Sequence, residues 1–198
     1  MSKESQTQKL FNLARKVFPG GVNSPARTFR SVKTMPIYSR SGQASYLWDE
    51  DGHKYIDCVL GWGSLIAGHN NPAVTKALRY IISNGNGVGL STEYEVELGY
   101  IICRAIPSVE MIRIFNSGAE ALSAAVKLAR HVTKKTKILK LIGAHHEYLY
   151  SDDEENVICV HHDNFTELKS VIEENYKDIA CLLIEPYPSS FGVLPPNG

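Results

Sequence analysis

The sequence has no excess of charge of either sign and no apolar run long enough to span a membrane. Its 198 residues include 21 lysines and arginines and 21 aspartates and glutamates, so the formal net charge is zero. A nucleic-acid-binding domain is typically basic, and a transmembrane helix needs about 20 consecutive apolar residues. Residues 1–8 are polar and contain no apolar signal-peptide core. We therefore expect a cytoplasmic protein whose partners are small molecules or other copies of the chain, and neither nucleic acid nor membrane.

Cysteine is sparse, and no two cysteines form a C-x-x-C pair. The four lie far apart in the chain, each among apolar neighbours: Cys58, Cys103, Cys159 and Cys181. This spacing argues against disulfides and against a zinc site, and it predicts buried, reduced thiols. The sequence also has no Gly-x-Gly-x-x-Gly between a predicted strand and a predicted helix, so a dinucleotide-binding domain is set aside.

The first 66 residues predict a helix followed by a small antiparallel β-unit. Ser5 suits the N-cap of a helix whose apolar positions recur at helical spacing as far as Val17. Pro19-Gly20-Gly21 would end that helix. Residues 45–48 and 54–60 are rich in β-formers, and the turn between them contains an Asp-Gly step, which is typical of a hairpin.

Residues 67–198 predict alternating helices and strands. Good capping residues mark helices over 72–83, from 93 to Pro107, over 119–131 and over 164–175. Apolar runs predict strands over 111–115, 137–142, 157–160 and 179–184. Near-continuous apolar strands that alternate with helices indicate a mostly parallel sheet covered on both faces, in an α/β fold. A sheet of this kind normally continues, so we expect this domain to be incomplete.

The segment 114–121, Ile-Phe-Asn-Ser-Gly-Ala-Glu-Ala, joins a predicted strand to a predicted helix. The free N–H groups and the positive end of such a helix attract anions. Gly118 would let a phosphate approach the backbone, and Ser117 would add a hydroxyl donor. Taken alone, a serine at this position is more often an N-cap than part of a phosphate site.

Several motifs occur together in an order that resembles the class III aminotransferases. They occupy residues 19–27, 61–63, 68–72, 92–93, 116–121 and 184–186. Within that class the sequence most resembles the glutamate-1-semialdehyde 2,1-aminomutases. The resemblance covers nearly the whole chain and corresponds to the first half of such an enzyme. It implies a fold-type I large domain, pyridoxal 5'-phosphate as cofactor, amino-group transfer, a homodimer, and a small amino, keto or amino-aldehyde carboxylate as substrate.

The resemblance also implies roles for individual residues. Three would hold the cofactor phosphate at the helix N-terminus: Ser117, Gly118 and Ala119, the last in place of the usual threonine. His145, followed by His146, would stack on the cofactor ring in place of the usual tyrosine. Ser24, Arg27 and Trp62 would contact the substrate. Arg27 suits its carboxylate, because the planar guanidinium of arginine matches a carboxylate. No metal is implied.

Other departures from the family pattern concern catalysis. Glu147 replaces a glycine, and residues 148–156 contain no long Gly-rich lid, which weakens the case for the aminomutase reaction because a lid excludes water. The lysine that binds the cofactor covalently and the aspartate that pairs with its ring nitrogen would lie beyond Gly198. No catalytic residue is therefore predicted within the chain, which we expect to be nearly inactive alone.

Two other interpretations stay open at this point. A metal hydrolase could use the histidines at 145–146 and 161–162 with Asp163, although neither cluster has the i, i+4 spacing of a helical zinc motif. The chain could instead be a non-catalytic remnant, or one subunit of a split enzyme that binds its other half. An unpaired sheet edge would favour such association.

Overall fold

The structure is a computed structural model that describes residues 4–85, 89–142, 155–161, 163–185 and 187. Its contacts divide the chain into two compact units, Met1–Ser91 and Thr92–Gly198. The first unit contains mainly antiparallel strands and short helical turns, and the second contains a parallel sheet with helices. The division of the chain at residue 66, which the change in secondary-structure pattern suggests, stays a prediction.

The first unit begins with helix α1 (Gln6–Ala14), which Ser5 caps as predicted. The Ser5 hydroxyl accepts a hydrogen bond from the Gln8 amide at 3.1 Å. The helix ends before Val17, the last residue of the predicted apolar pattern. Three short 3-10 turns follow it, over Pro19–Gly21, Pro25–Thr28 and Arg30–Val32.

A three-stranded antiparallel sheet forms the centre of the first unit, in the order β1-β2-β3. Its strands are β1 (Ser39–Gln43), β2 (Tyr46–Asp49) and β3 (Lys54–Ile56). The β2–β3 hairpin confirms the predicted one, although β3 ends earlier than predicted. Strand β1 was not predicted because its sequence, Ser-Arg-Ser-Gly-Gln, is polar and shows no apolar alternation. Helix α2 (Pro72–Ser83) completes the unit and has the predicted bounds, with Asn71 as its N-cap.

The second unit contains helix α3 (Glu93–Ala105), helix α4 (Gly118–Thr133), strand β4 (Lys137–Ile142), strand β5 (Val157–His161), helix α5 (Phe165–Asn175) and strand β6 (Ile179–Leu183). The three strands are parallel, in the order β5-β4-β6, which confirms the predicted α/β fold. Among the residues that the structure describes, the fully buried apolar side chains are Ile138 and Leu139 of β4, Val160 of β5 and Val126 of α4. The core of this unit therefore lies along the central strand.

None of the helices in the described part of the chain combines the length and the apolar character that a membrane-spanning helix requires.

Two predictions about apolar segments are wrong. Residues 111–115 form no strand, and none of the described residues pairs with them; Met111 is 91% exposed. An apolar run becomes a strand only where a neighbouring strand accepts its backbone hydrogen bonds. The four cysteines are free, as predicted, but Cys58 and Cys159 are exposed rather than buried. Cys159 lies on β5, which is an outer strand of the sheet within the described residues, and Cys58 lies in the loop that follows β3.

Candidate functional site

The turn from Asn116 into helix α4 is the strongest candidate site in the second unit. Ser117 is the N-cap residue, with extended backbone (φ −146°, ψ 156°), and its hydroxyl oxygen accepts a hydrogen bond from the Glu120 amide at 3.2 Å. The Ala121 amide bonds to the Ser117 carbonyl oxygen at 3.1 Å and closes the first turn of the helix. The helix begins at Gly118, one residue before the predicted start. Sequence and structure therefore agree on the start of this helix to within one residue.

Two backbone amides at this turn remain available to a ligand. The N–H groups of Gly118 and Ala119 have no acceptor among the described residues, as expected for the first positions of a helix. The Ser117 hydroxyl accepts one hydrogen bond and can still donate its own proton. All three residues are exposed. The turn thus offers three donors to one anion, which is the donor set that a phosphate requires.

Gly118 leaves the space in front of this turn open. A Cβ atom built at this position would meet no other atom within 4 Å. No neighbouring group in the described residues therefore demands glycine here, and the space beside the Gly118 Cα is open to a ligand. The chemistry of the donors and this open approach both fit a phosphate group.

The charges on helix α4 follow the helix dipole. Glu120 lies in the first turn, and Arg130 and His131 lie in the last. The Glu120 carboxylate does not cover the amides of Gly118 and Ala119, because its Oε2 accepts a hydrogen bond from the Asn116 amide at 3.0 Å. The Glu120 carboxylate is therefore a negative charge near the helix N-terminus that leaves these two amides free to bind an anion.

Ser24 and Arg27, the predicted substrate residues of the N-terminal segment, lie around one 3-10 turn in the first unit. Ser24 precedes the turn, and the Arg27 amide bonds to the Ser24 carbonyl oxygen at 3.0 Å. Arg27 also lines a groove of about 430 Å³, together with Asn23 and Tyr38. The Arg27 guanidinium forms no ion pair with any described carboxylate. It is exposed and is free to bind a carboxylate from outside the chain.

Trp62 lies at the tip of the loop 57–69, which we call the Trp62 loop. Its side chain is 72% exposed, so Trp62 is not a core residue. Its φ of 56° is in the left-handed region, as is the φ of 47° at Leu60. Two residues at the ends of this loop were missed by sequence reasoning, namely Asp57 and His69, whose side chains lie 2.6 Å apart. Hydrogen bonds from the Leu60 amide and from His69 lower the pKa of the Asp57 carboxyl.

The predicted ring-binding residues, His145 and His146, lie outside the described residues. Within the described part of the chain, no group of three or more histidines, cysteines, aspartates or glutamates could hold a metal ion. His161 and Asp163 are described, but His162 is not. The metal-hydrolase interpretation therefore gains no support from the geometry.

Comparison with known proteins identifies relatives of the whole chain. A family model described as Aminotransferase class-III matches residues 28–151. The chain is 39% identical over 214 aligned residues to glutamate-1-semialdehyde 2,1-aminomutase 1 of Macrococcus caseolyticus, and the alignment covers 97% of this chain and 50% of that protein. The chain thus spans about half the length of the curated relatives it matches.

Two solved structures show the same fold. The crystal structure of an omega-transaminase from Sphaerobacter thermophilus superposes with a TM-score of 0.89 at 26% identity, covering 98% of this chain and 50% of that one. A structure described as a transaminase with PLP bound superposes with a TM-score of 0.85 at 29% identity, covering 94% of this chain and 48% of that one. The fold of this chain therefore matches about half of each of these transaminase structures.

Proposed function

We propose that the turn at Ser117 binds the phosphate of pyridoxal 5'-phosphate, since this chain belongs to the class-III aminotransferase family. The family assignment confirms the resemblance carried by the sequence motifs, and pyridoxal 5'-phosphate is the cofactor of this family. The observation that carries the proposal is the set of three donors from Ser117, Gly118 and Ala119 at the start of α4, where no described residue lies within 4 Å of the position that a Cβ atom of Gly118 would take.

Each of these residues has a distinct part in holding the phosphate. Ser117 keeps its N-cap bond to Glu120 and donates its hydroxyl proton to a phosphate oxygen. The amides of Gly118 and Ala119 donate along the helix axis, where the dipole favours negative charge. Ala119 contributes its amide only, because its methyl side chain has no donor. When bound, the cofactor supplies an electron sink for chemistry at the α-carbon of an amino acid.

The reaction we propose for the complete enzyme is amino-group transfer on a small carboxylate-bearing amine. Arg27 would bind the substrate carboxylate through its guanidinium, with Ser24 beside it and Trp62 as an apolar wall. The exposure of Arg27 and its lack of an ion pair with any described carboxylate support this role. The aminomutase reaction and intermolecular transamination both fit these groups. His145, with His146, remains the proposed ring contact.

The chain alone would bind the cofactor phosphate without catalysing the reaction. None of its lysines has a sequence context like that of the family's cofactor lysine, and Lys135, for example, donates to the Tyr176 carbonyl oxygen at 2.6 Å. We therefore propose that activity requires residues supplied by a further segment or subunit, in a cytoplasmic homodimer. A non-catalytic subunit that binds such a partner is the second candidate, and the exposed apolar side chains of helices α2 and α3 support it.

Equilibrium dialysis with pyridoxamine 5'-phosphate tests the phosphate site. This probe has no aldehyde, so it cannot react with surface lysines. We expect binding that requires the phosphate, because pyridoxamine without it lacks the group that the three donors recognise. Ser117→Ala should weaken binding about tenfold, the effect of losing one hydrogen bond to a charged group.

Thr92→Ala is the matched control, since Thr92 caps helix α3 in the same unit through a capping box. Both substitutions remove an N-cap hydroxyl, and each should cost about 1 kcal/mol of stability. Only Ser117→Ala should reduce binding of the probe. Equal binding of pyridoxamine and its phosphate, or equal loss in the two variants, would refute the phosphate site.

A further inference from the structure

The Trp62 loop begins and ends on two adjacent residues of the β1–β2 turn. At its start, the Asp57 amide donates to the Ser45 carbonyl oxygen at 2.8 Å. At its end, His69 and Ala44 form an isolated antiparallel bridge, with N–H···O distances of 2.8 and 2.9 Å. The backbone therefore fixes both ends of the loop against the same short turn.

A side-chain contact joins the two ends a second time. The Nε2 atom of His69 lies 2.6 Å from Oδ2 of Asp57, and the side chains are only 17% and 8% exposed. The other carboxylate oxygen of Asp57 accepts hydrogen bonds from the amides of Val59 and Leu60, at 2.9 and 3.0 Å. One carboxylate thus binds the last residue of the loop and shapes its first turn.

The imidazole ring of His69 lies against Gly42 of β1. A Cβ atom at residue 42 would lie 2.6 Å from Cγ and 2.7 Å from Nδ1 of His69, which no real side chain tolerates. The ring packs directly on the backbone of β1. His69 is therefore held by its backbone bridge, by Asp57 and by the glycine beneath it.

The backbone conformation of the Trp62 loop is intrinsically unfavourable, so the contacts at its two ends are needed to stabilise it. Leu60 and Trp62 both have left-handed backbone angles, which cost free energy for residues with a Cβ atom. Within the loop, short turn hydrogen bonds join Trp62 to Val59 and Leu65 to Leu60, each at 3.0 Å. Since the Trp62 side chain is mostly exposed, its own packing cannot supply the missing stabilisation.

We propose that His69 and Asp57 are positioning residues, which hold the Trp62 loop in the conformation that presents the indole to the substrate. The substrate part of this proposal rests on the proposed function of Trp62. The positioning part rests on the contacts of the first unit alone, and it can be measured in the absence of any cofactor.

Fluorescence of Trp62 provides the measurement. The chain has two tryptophans, so Trp48→Phe leaves Trp62 as the single indole reporter. In this background, His69→Ala should lower the steady-state anisotropy of Trp62 by roughly a third, because nanosecond motion of a released loop depolarises its emission. His69→Gln, whose amide can donate to Asp57, should restore at least half of that loss. Far-UV circular dichroism and the urea midpoint establish that each variant is folded.

His53→Ala is the matched control. His53 forms a comparable contact in the same unit, with Nδ1 2.9 Å from Oδ2 of Asp49, but it lies in the β2–β3 turn rather than in the Trp62 loop. It should leave the Trp62 anisotropy unchanged. An unchanged anisotropy in His69→Ala, or an equal fall in His53→Ala, would overturn the proposal, even if His69→Ala also lowered the urea midpoint. If His69→Ala does not fold, Asp57→Asn takes its place, with the same two outcomes.

This experiment is independent of the phosphate site. A chain that fails to bind pyridoxamine phosphate would refute the proposed function, while the Trp62 anisotropy would still show whether His69 and Asp57 position the loop. Conversely, an unchanged anisotropy would leave the phosphate site intact. The two failures are therefore distinguishable.

Discussion

No described protein group requires glycine at position 118, but a bound phosphate would, because it needs close access to the backbone amides. Because a Cβ atom would meet nothing within 4 Å, Gly118→Ala should fold normally and should stabilise the protein by about 0.5 kcal/mol through the unfolded state. The added methyl group would narrow the approach to the amides, so we expect severalfold weaker dialysis binding of pyridoxamine phosphate. A variant that is more stable and still binds with unchanged affinity would show that no phosphate approaches this backbone closely.

Gly99→Ala is the control for this substitution, because Gly99 lies in helix α3 of the same unit. A Cβ atom there would meet Ile112 at 3.9 Å, an ordinary contact. This variant should gain similar stability without a change in binding of the probe.

Asp49 is a buried carboxylate that four groups of the first unit contact. It is 4% exposed, and it accepts hydrogen bonds from the Asp51 and His53 amides and the Tyr55 hydroxyl, at 2.8 to 3.0 Å, besides its contact with the His53 ring. Burial alone would raise the pKa of Asp49, but hydrogen bonds from His53 and Tyr55 outweigh it and lower the pKa to about 2. The same contact raises the pKa of His53 above its usual 6.5.

These two shifts predict a bell-shaped pH dependence of stability. The lowered pKa of Asp49 stabilises the fold above pH 3.8, and this contribution is lost as the pH falls towards about 2. The raised pKa of His53 stabilises the fold below pH 6.5, and this contribution is lost as the pH rises through the higher folded value. The difference in urea midpoint between wild type and Asp49→Asn should therefore be largest between pH 3.8 and 6.5.

Tryptophan fluorescence can follow this transition, since Trp48 and Trp62 both lie in the first unit. Glu50→Gln removes a neighbouring carboxylate whose side chain has no hydrogen bond within the described residues, and it controls for the loss of charge. A difference between wild type and Asp49→Asn that did not vary between pH 2 and 8 would contradict the pKa shifts.

At the scale of elements, helix α1 is capped from two sides. Ser5 binds the Gln8 amide, and the Asp51 carboxylate, from the β2–β3 turn, accepts from the amides of Gln6 and Thr7 at 2.6 and 3.1 Å. The helix has no acidic residue of its own in the first turn, so Asp51 also supplies the negative charge that its dipole favours. Asp51 thus joins the first helix to the hairpin.

We expect Asp51→Ala to lower the urea midpoint of the first unit more than Ser5→Ala does. Ser5→Ala leaves one amide without an acceptor and should cost about 1 kcal/mol. Asp51→Ala leaves two amides without acceptors and also separates the helix from the hairpin turn. Equal midpoints for the two variants would show that the contact with the hairpin contributes nothing.

The elements that could be predicted from the sequence are those with local chemical signals at their ends. Asn71 with Pro72 marked the start of α2, and Thr92 with Glu95 marked that of α3, where the Thr92 amide donates to Oε2 of Glu95 at 3.2 Å in a capping box. Strand β4 was predicted over its observed range because its apolar run is buried in the centre of the sheet. Each of these signals lies within the segment that it specifies.

The segments that the sequence predicts wrongly depend on pairing partners outside the segment itself. Strand β1 is polar, and it exists because β2 pairs with it. Residues 111–115 are apolar, yet no strand accepts their hydrogen bonds within the described residues. The contact of Asp57 with His69 likewise spans a whole loop, and the motif at residues 68–72 does not by itself indicate that His69 binds Asp57. In the candidate site, the three donors at Ser117 were predictable because the turn that holds them is local.

At the scale of the whole molecule, the parallel sheet leaves both outer strands unpaired within the described residues. Strands β5 and β6 each pair only with β4 there. An edge strand presents free N–H and C=O groups that can pair with another chain. Leu182 on β6 is 39% exposed, so the edge is also partly apolar. We therefore expect the 22.0 kDa chain to self-associate as its concentration rises, in size-exclusion chromatography with light scattering.

Leu182→Lys should shift this equilibrium towards the monomer, because a lysine on an edge strand opposes pairing with a second edge. Ile172→Lys is the matched control: Ile172 is 37% exposed but lies on helix α5, where no backbone ladder can form. If edge pairing drives association, only Leu182→Lys lowers the average mass. If apolar surface in general drives it, both variants lower the mass equally. A wild-type chain that stays at 22.0 kDa at every concentration would mean that neither outer strand is open to a partner. That result would remove the support for a subunit that pairs with its partner through this sheet.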